Sequence, residues 1–279
     1  MAGDYERRML RVVEHIHAHP AGDLSLDALA EVAAMSRFHW HRVFTAMTGE
    51  TCAQAVRRVR LHKAAAALVR TDRPIAEIAA EVGYPNLASF SRAFERAYGL
   101  PPGAFRSRGD FPPLLNHART GDYPMFPIEI ATQPARRLAA MPHRGAYIEI
   151  GKTFESVGAI AAARNLWPHV RGMIGVYYDD PDAKPEAELR SAAGLAVTYT
   201  APIAEPLQEI RLPEGRYAVM HYKGPYPGLA AAYKHLYGVW LPESGEEAGD
   251  HPPIEVYLNA PQDTAPEDLL TDVCVPLKD

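Results

Sequence analysis

The residues best placed to do chemistry are one glutamate among tyrosines and two arginines that recur 50 positions apart, Arg42 and Arg92. Glu255 lies in the run PPIEVYLNAP at 252–261, and GMIGVYYDDP at 172–181 parallels it with Gly175 in the glutamate's place. One copy of a repeated pattern thus carries a carboxylate that the other lacks. Side chains alternate along a strand, so Glu255 shares a face with Tyr257, while Ile254 and Val256 take the other. A carboxylate surrounded by Tyr147, Tyr177, Tyr226 or Trp240 can hold a desolvated organic cation by charge and cation–π attraction. The same rings can instead be core packing. The same carboxylate, with a tyrosine as acid partner, can also act as a general base. The arginines offer a different chemistry: a guanidinium donates bidentately to guanine in a major groove.

The elements that must position Glu255 come in two copies about 79 positions apart. Alternating residues predict strands at Ile128–Thr132 and Leu207–Arg211. PARRLA from Pro134 then parallels PEGRYA from Pro213, and MPHRGAY at 141–147 parallels MHYKGPY at 220–226. A helical stretch follows each, with Phe154 over Tyr233 and Val157 over Leu236. Last strands are expected near Gly194–Tyr199 and Asp272–Leu277. Each copy reads strand, strand, helix, strand, strand, an α+β unit that buries its helices on one side of a sheet. A concave surface where the copies meet suits a small molecule.

The arginines sit in a second, all-α repeat. Tyr5 to His19 has helical apolar spacing, and Ser25 or Leu26 starts a short helix through Ala33. Ser36 is a suitable cap for a helix from about Arg37 to Met47, with Trp40, Val43, Phe44 and Met47 inward. Its outer stripe is Phe38, His41, Arg42 and Thr45. From Ile75 the pattern returns: Asn86 replaces Ser36, Phe90 replaces Trp40, Arg92 repeats Arg42 and Gly99 repeats Gly49. Two helix-turn-helix motifs are therefore expected, joined by one helix over Cys52–Val69 about 27 Å long. That length suits two reading helices about one DNA turn, or about 34 Å, apart. Arg57, Arg58, Arg60 and Lys63 on the connector read as a solvated face or as phosphate contacts.

Charge divides along the same line. Residues 1–108 hold 15 Lys and Arg against 11 Asp and Glu, while 109–279 hold 14 against 23. The basic front suits a polyanion, and the acidic back suits a cationic ligand. The two cysteines, Cys52 and Cys274, form no metal-ligand spacing, and His15, His17 and His19 spread around a helix. No metal and no cofactor are expected. No apolar run long enough for a membrane span and no signal sequence is visible, so a cytoplasmic protein is expected. Prolines and glycines from Arg106 to Pro127 mark a linker. The expected organisation is multidomain: helix-turn-helix domain 1–108, linker 109–126 and α+β domain 127–279.

The stretch LSLDALAEVAAMSRFHWHRVFTAMTG, the connector, and IAEIAAEVGYPNLASFSRAFERAYGLPPGAFR resemble the AraC/XylS-type DNA-binding domain. That resemblance implies a transcription regulator whose groove-facing residues are Arg37, Phe38, His41 and Arg42 in the first unit. In the second unit it implies Leu87, Ala88, Ser91 and Arg92. HYKGPYPGLAAAYKHLYGVWLPESG and PPIEVYLN resemble the GyrI-like effector-binding domain. This implies a pocket for bulky, often cationic, aromatic ligands, with Glu255 as its acidic residue and Tyr147, Tyr177, Tyr226, Trp240 and Tyr257 around it. The implied partners are promoter double-stranded DNA, a small-molecule effector and RNA polymerase, with no membrane. An activator that senses a small molecule, and not an enzyme, is the expected function; the alternative that the GyrI-like resemblance implies is a small-molecule hydrolase with Glu255 as general base, fused to a DNA-binding domain.

Overall fold

Tyr5, Met9, Val12 and Ile16 recur at helical spacing and are all buried, which makes α1 (Ala2–Ala18) one-sided. The computed structural model describes residues 2–109 and 125–279. The expected linker 109–126 therefore lies, save for Gly109, Met125 and Phe126, outside the described residues. Among them, no helix is long and apolar enough to cross a membrane.

Helices follow in the order α2 (Leu26–Ala33), α3 (Trp40–Thr48), α4 (Cys52–Arg70), α5 (Ile75–Glu81), α6 (Leu87–Tyr98) and α7 (Pro102–Arg108). The capping residues act as their types dictate. Ser25 Oγ accepts from Ala28 N at 3.3 Å, and Asn86 Oδ1 accepts from Ser89 N at 2.9 Å. Thr51 and Gln54 form a reciprocal capping box that starts α4, whose 19 residues span about 28 Å. Ser36 Oγ accepts from Phe38 N, but regular α-helix begins only at Trp40, because residues 37–39 form a turn.

The described chain divides into two compact units, and the division cuts through the first helix-turn-helix motif. One unit comprises residues 3–35 and 48–109; the other joins 36–47 to 125–279. In the first, Leu61 and Leu68 of α4 pack with Ile78, Val82, Phe90, Phe94 and Phe105 in one apolar cluster. The connector's cations are mostly not a solvated face. Arg58 pairs with Glu50, Arg60 donates to Pro20 O at 2.6 Å, and Lys63 donates to His17 O at 2.7 Å. Arg57 alone of the four is exposed.

The second unit is built on eight strands: β1 (Ile128–Gln133), β2 (Arg136–Arg144), β3 (Val170–Tyr177), β4 (Arg190–Val197), β5 (Gln208–Leu212), β6 (Gly215–Lys223), β7 (Ile254–Tyr257) and β8 (Leu270–Pro276). They form one antiparallel sheet in the order β1-β6-β8-β7-β3-β4-β2-β5. Each sequence copy supplies four strands, but the first strand of each is exchanged: β1 pairs with β6 of the second copy and β5 with β2 of the first, while β7 joins β3 at the seam. Helix α8 (Ile150–Ala163) serves the first copy. In the second copy α9 (Leu229–His235) runs through a π-helical turn (Leu236–Trp240) into α10 (Leu241–Ser244). One sheet face buries Leu138, Ile174, Val176, Tyr217, Val219, Ile254 and Cys274 in a single cluster, so the sheet curls on itself. The other face packs Ala139, Tyr177, Ala193 and Leu195 against Ile150, Val157 and Ala161 of α8.

The last strands begin earlier than their apolar residues suggest, at Arg190 and Leu270. A side chain anchors each start: Asp179 Oδ2 accepts from Arg190 N, and Asn259 Oδ1 accepts from Leu270 N, both at 2.8 Å. Asp179 also binds the Arg190 guanidinium at 2.9 Å and Lys184 Nζ at 2.6 Å. Burial works against its charge, yet these partners hold its carboxyl down to about 2. Asp179→Ala strands the Arg190 amide and two cations, so a loss of about 2–3 kcal/mol is expected in urea unfolding of the full chain. The depressed pKa sets the sign: wild-type stabilisation is complete above pH ~4 and fades towards pH ~2, and the variant lacks that fade.

Candidate functional site

The β7–β3 seam sets Glu255 directly opposite Gly175 and Tyr257 opposite Met173. A Cβ on Gly175 would lie 2.9 Å from the Tyr177 ring and 3.1 Å from the Tyr257 hydroxyl. The glycine in one copy thus makes room for the rings that close over the carboxylate in the other. Glu255 is 4% exposed. Tyr257 donates to its Oε2 at 2.8 Å and Tyr233 to its Oε1 at 3.1 Å, while the Tyr177 and Tyr257 hydroxyls meet at 2.6 Å. Burial raises the Glu255 pKa; the tyrosine hydrogen bonds and the Arg42 charge oppose that rise. Burial first, and then the Glu255 charge, push Tyr177, Tyr233 and Tyr257 well above the usual phenol range. Protonated phenols donating to a carboxylate are what this arrangement requires.

Further rings extend the site outward. Phe154 of α8 and Tyr226 both meet Tyr257 edge-on, at centroid distances of 5.4 and 5.6 Å. All three are half-buried, so the aromatic surround of the buried Glu255 carboxyl reaches outward from it. Tyr147 stacks edge-on with Tyr177 at 4.8 Å, but its hydroxyl is tied to the Asp179 and Arg190 carbonyls. Trp240, at the end of the π-helical turn, makes no ring contact with this group among the described residues. Tyr233 and Tyr237 take its place. They are four residues apart on one helical face and stack at 6.2 Å, nearly parallel.

The occupant of that stacked pair is Arg42 of α3. Arg42 Cζ lies 5.0 Å from the Tyr233 centroid and 5.6 Å from that of Tyr237. Its Nη2 donates to Asp179 O at 2.7 Å, whereas its buried Nε meets no acceptor among the described residues. On either side, His41 Nδ1 lies 2.7 Å from Asp180 Oδ2, and His39 bridges Tyr237 Oη at 2.7 Å and His251 O at 2.9 Å. Ala46 closes the contact, lying where a Cβ on Gly238 would come within 2.8 Å of it. His41 and Arg42, read from their spacing as an outward stripe, are 4% and 8% exposed. Helical period identified the face but not the sheet unit that covers it.

The remaining groove-facing candidates are placed as follows. Arg37 is exposed beside the half-buried Phe38, its Cζ 5.5 Å from the ring. On α6, Leu87, Ala88 and Arg92 are exposed and Ser91 is half-buried, so this candidate face is open within its own unit. Sequence reasoning missed Tyr233, Tyr237, Phe154 and His39. The i, i+4 spacing of Tyr233 and Tyr237 was the available signal for two of them.

Known proteins share both halves. Residues 126–278 match the GyrI-like small molecule binding domain, and residues 29–108 match a helix-turn-helix domain. The chain is 35% identical over 103 residues to the uncharacterized HTH-type transcriptional regulator YbfP of Bacillus subtilis, covering 37% of this chain and 35% of that one. It is 34% identical over 97 residues to the regulatory protein SoxS of Salmonella typhimurium, covering 35% of this chain and 91% of SoxS. The transcriptional regulator Rob of the same organism is 24% identical over 240 residues, covering 81% of this chain and 82% of Rob. The paired helix-turn-helix motifs and the duplicated sheet, with these matches, place the chain in the AraC-type family of DNA-binding transcription regulators, with a GyrI-like small-molecule binding domain.

Proposed function

We propose that the protein is a cytoplasmic promoter-binding activator whose GyrI-like domain senses a bulky aromatic cation. The observation that carries this reading is the buried Glu255 carboxylate beneath the rings of Tyr177, Tyr233 and Tyr257, with Phe154 and Tyr226 edge-on to Tyr257. A desolvated anion lined by π faces favours an organic cation over a neutral ligand of equal size, since charge and cation–π attraction add. The residues expected to read DNA are Arg37, Phe38, His41 and Arg42 of the first unit and Leu87, Ala88, Ser91 and Arg92 of the second. Transcription would then rise through contact with RNA polymerase at the occupied promoter. The domain division 1–108, 109–126 and 127–279 is retained as the covalent frame of this reading.

Calorimetric titration of the full chain with tetraphenylphosphonium, against triphenylphosphine oxide as a neutral aryl control, tests the effector class. Affinity for the cation should exceed that for the neutral compound by at least about tenfold. Equal affinities would reject a cation sensor.

A further inference from the structure

One wall of the site that should receive a cation, the Tyr233 ring, already carries one. Arg42 places its guanidinium on the Tyr233–Tyr237 pair and satisfies one donor on the Asp179 carbonyl. The same side chain lies on the face of α3 that would enter a major groove. A guanidinium over an aromatic face is a close chemical stand-in for an aromatic-caged organic cation. We propose that Arg42 is a built-in competitor of the effector: α3 docks on the cage and is withheld from DNA until a cationic ligand displaces it. The inference rests on the effector reading above and adds how that site would govern DNA binding.

Three features make the docking specific yet reversible. His39, Arg42 and His41 each find a partner on the sheet unit, in Tyr237 and His251, Asp179, and Asp180. Ala46 fits the bare backbone of Gly238, a contact that no larger residue at 238 would permit. Against these, the buried Arg42 Nε has no acceptor among the described residues. A buried donor without a partner is costly, so the docked helix is held below its full potential. An effector shifts an equilibrium only by its differential affinity for two states. Here that difference is steric and electrostatic, because the two cations would share the Tyr233 ring and the field of Glu255.

The experiment uses the full chain and a duplex selected from a random library by the wild-type protein in the presence of tetraphenylphosphonium. Gly238→Leu wedges Ala46 away without altering Glu255, the tyrosines or any groove-facing residue. It should bind the duplex without ligand about tenfold more tightly than the wild type, and the cation should add nothing further. Arg42→Ala should bind tetraphenylphosphonium about tenfold more tightly, because the competing state is gone, while its DNA affinity falls. A merely structural arginine would give weaker cation binding on removal, so this variant decides the matter even if Gly238→Leu fails to fold. Unchanged cation affinity in Arg42→Ala overturns the competition and leaves the effector reading standing. Absence of cation binding in every variant sinks the effector reading, and the competition with it.

Discussion

Glu255→Gln should lower the affinity for tetraphenylphosphonium by about two orders of magnitude and leave the fold intact. The expectation follows from the position of the charge. Glu255 is buried, and its oxygens accept from Tyr233 and Tyr257, with Tyr177 hydrogen-bonded to Tyr257. No lysine or arginine forms a salt bridge with it among the described residues. A cation centred ~5 Å away at an effective dielectric of ~20 gains about 3 kcal/mol from that charge, which corresponds to roughly a hundredfold. Glutamine keeps the shape and one carbonyl acceptor, so the change isolates charge from packing. One tyrosine hydroxyl must turn to accept from the new amide, a cost set against the relief of a buried charge, so the melting temperature should change little. Calorimetry and a thermal melt on the same preparation check both statements. A variant that binds the cation as tightly as the wild type would show that the rings alone hold the ligand.

The route to Glu255 shows what a sequence can and cannot disclose. Caps at Ser25 and Asn86, the connector α4 and the two-copy order of strands are local, and side-chain chemistry or periodicity announces them. The Gly175–Glu255 correspondence was legible as well, because the duplication pairs those positions across the seam. The lid over the carboxylate was not. Tyr233 comes from a helix 22 residues earlier, and its alignment with Phe154 says only that both face inward. The π-helical turn at Leu236–Trp240 also shifts the phase of that helix, carrying Trp240 away from the rings and leaving Tyr237 stacked on Tyr233. Early strand starts at Arg190 and Leu270 escaped notice because their anchors, Asp179 and Asn259, lie 11 residues upstream. Most telling is Arg42. A polar stripe on an amphipathic helix declares that its own core does not need that face, and nothing in the period tells water from DNA or from a tyrosine cage.

Acidification should release α3 from the cage, with His39 as the responsible group. Its ring is fully buried: Nε2 donates to the His251 carbonyl and Nδ1 accepts from the Tyr237 hydroxyl, an assignment fixed by those partners. Burial, and then the Arg42 cation one turn along the helix, lower its pKa to about 3. In the released helix the ring regains its ordinary value, about 6.5. The docked state therefore binds fewer protons, so docking is at full strength above pH ~6.5 and weakens steadily as pH falls towards ~3. Between pH 7 and pH 5 the loss is about 2 kcal/mol, or roughly thirtyfold in the docking equilibrium. The other charged neighbours are Arg42, which stays cationic, and Asp180, which pairs with His41 and is held below its usual range mainly by that hydrogen bond, against burial. Amide hydrogen exchange of residues 40–47, corrected for the intrinsic pH dependence, should show protection falling by that factor in the wild type. His39→Asn should flatten the profile. Persistence of the full pH dependence in that variant would show that His39 is not the responsible group, and a His39 ring that titrates normally while the segment stays protected would refute it outright.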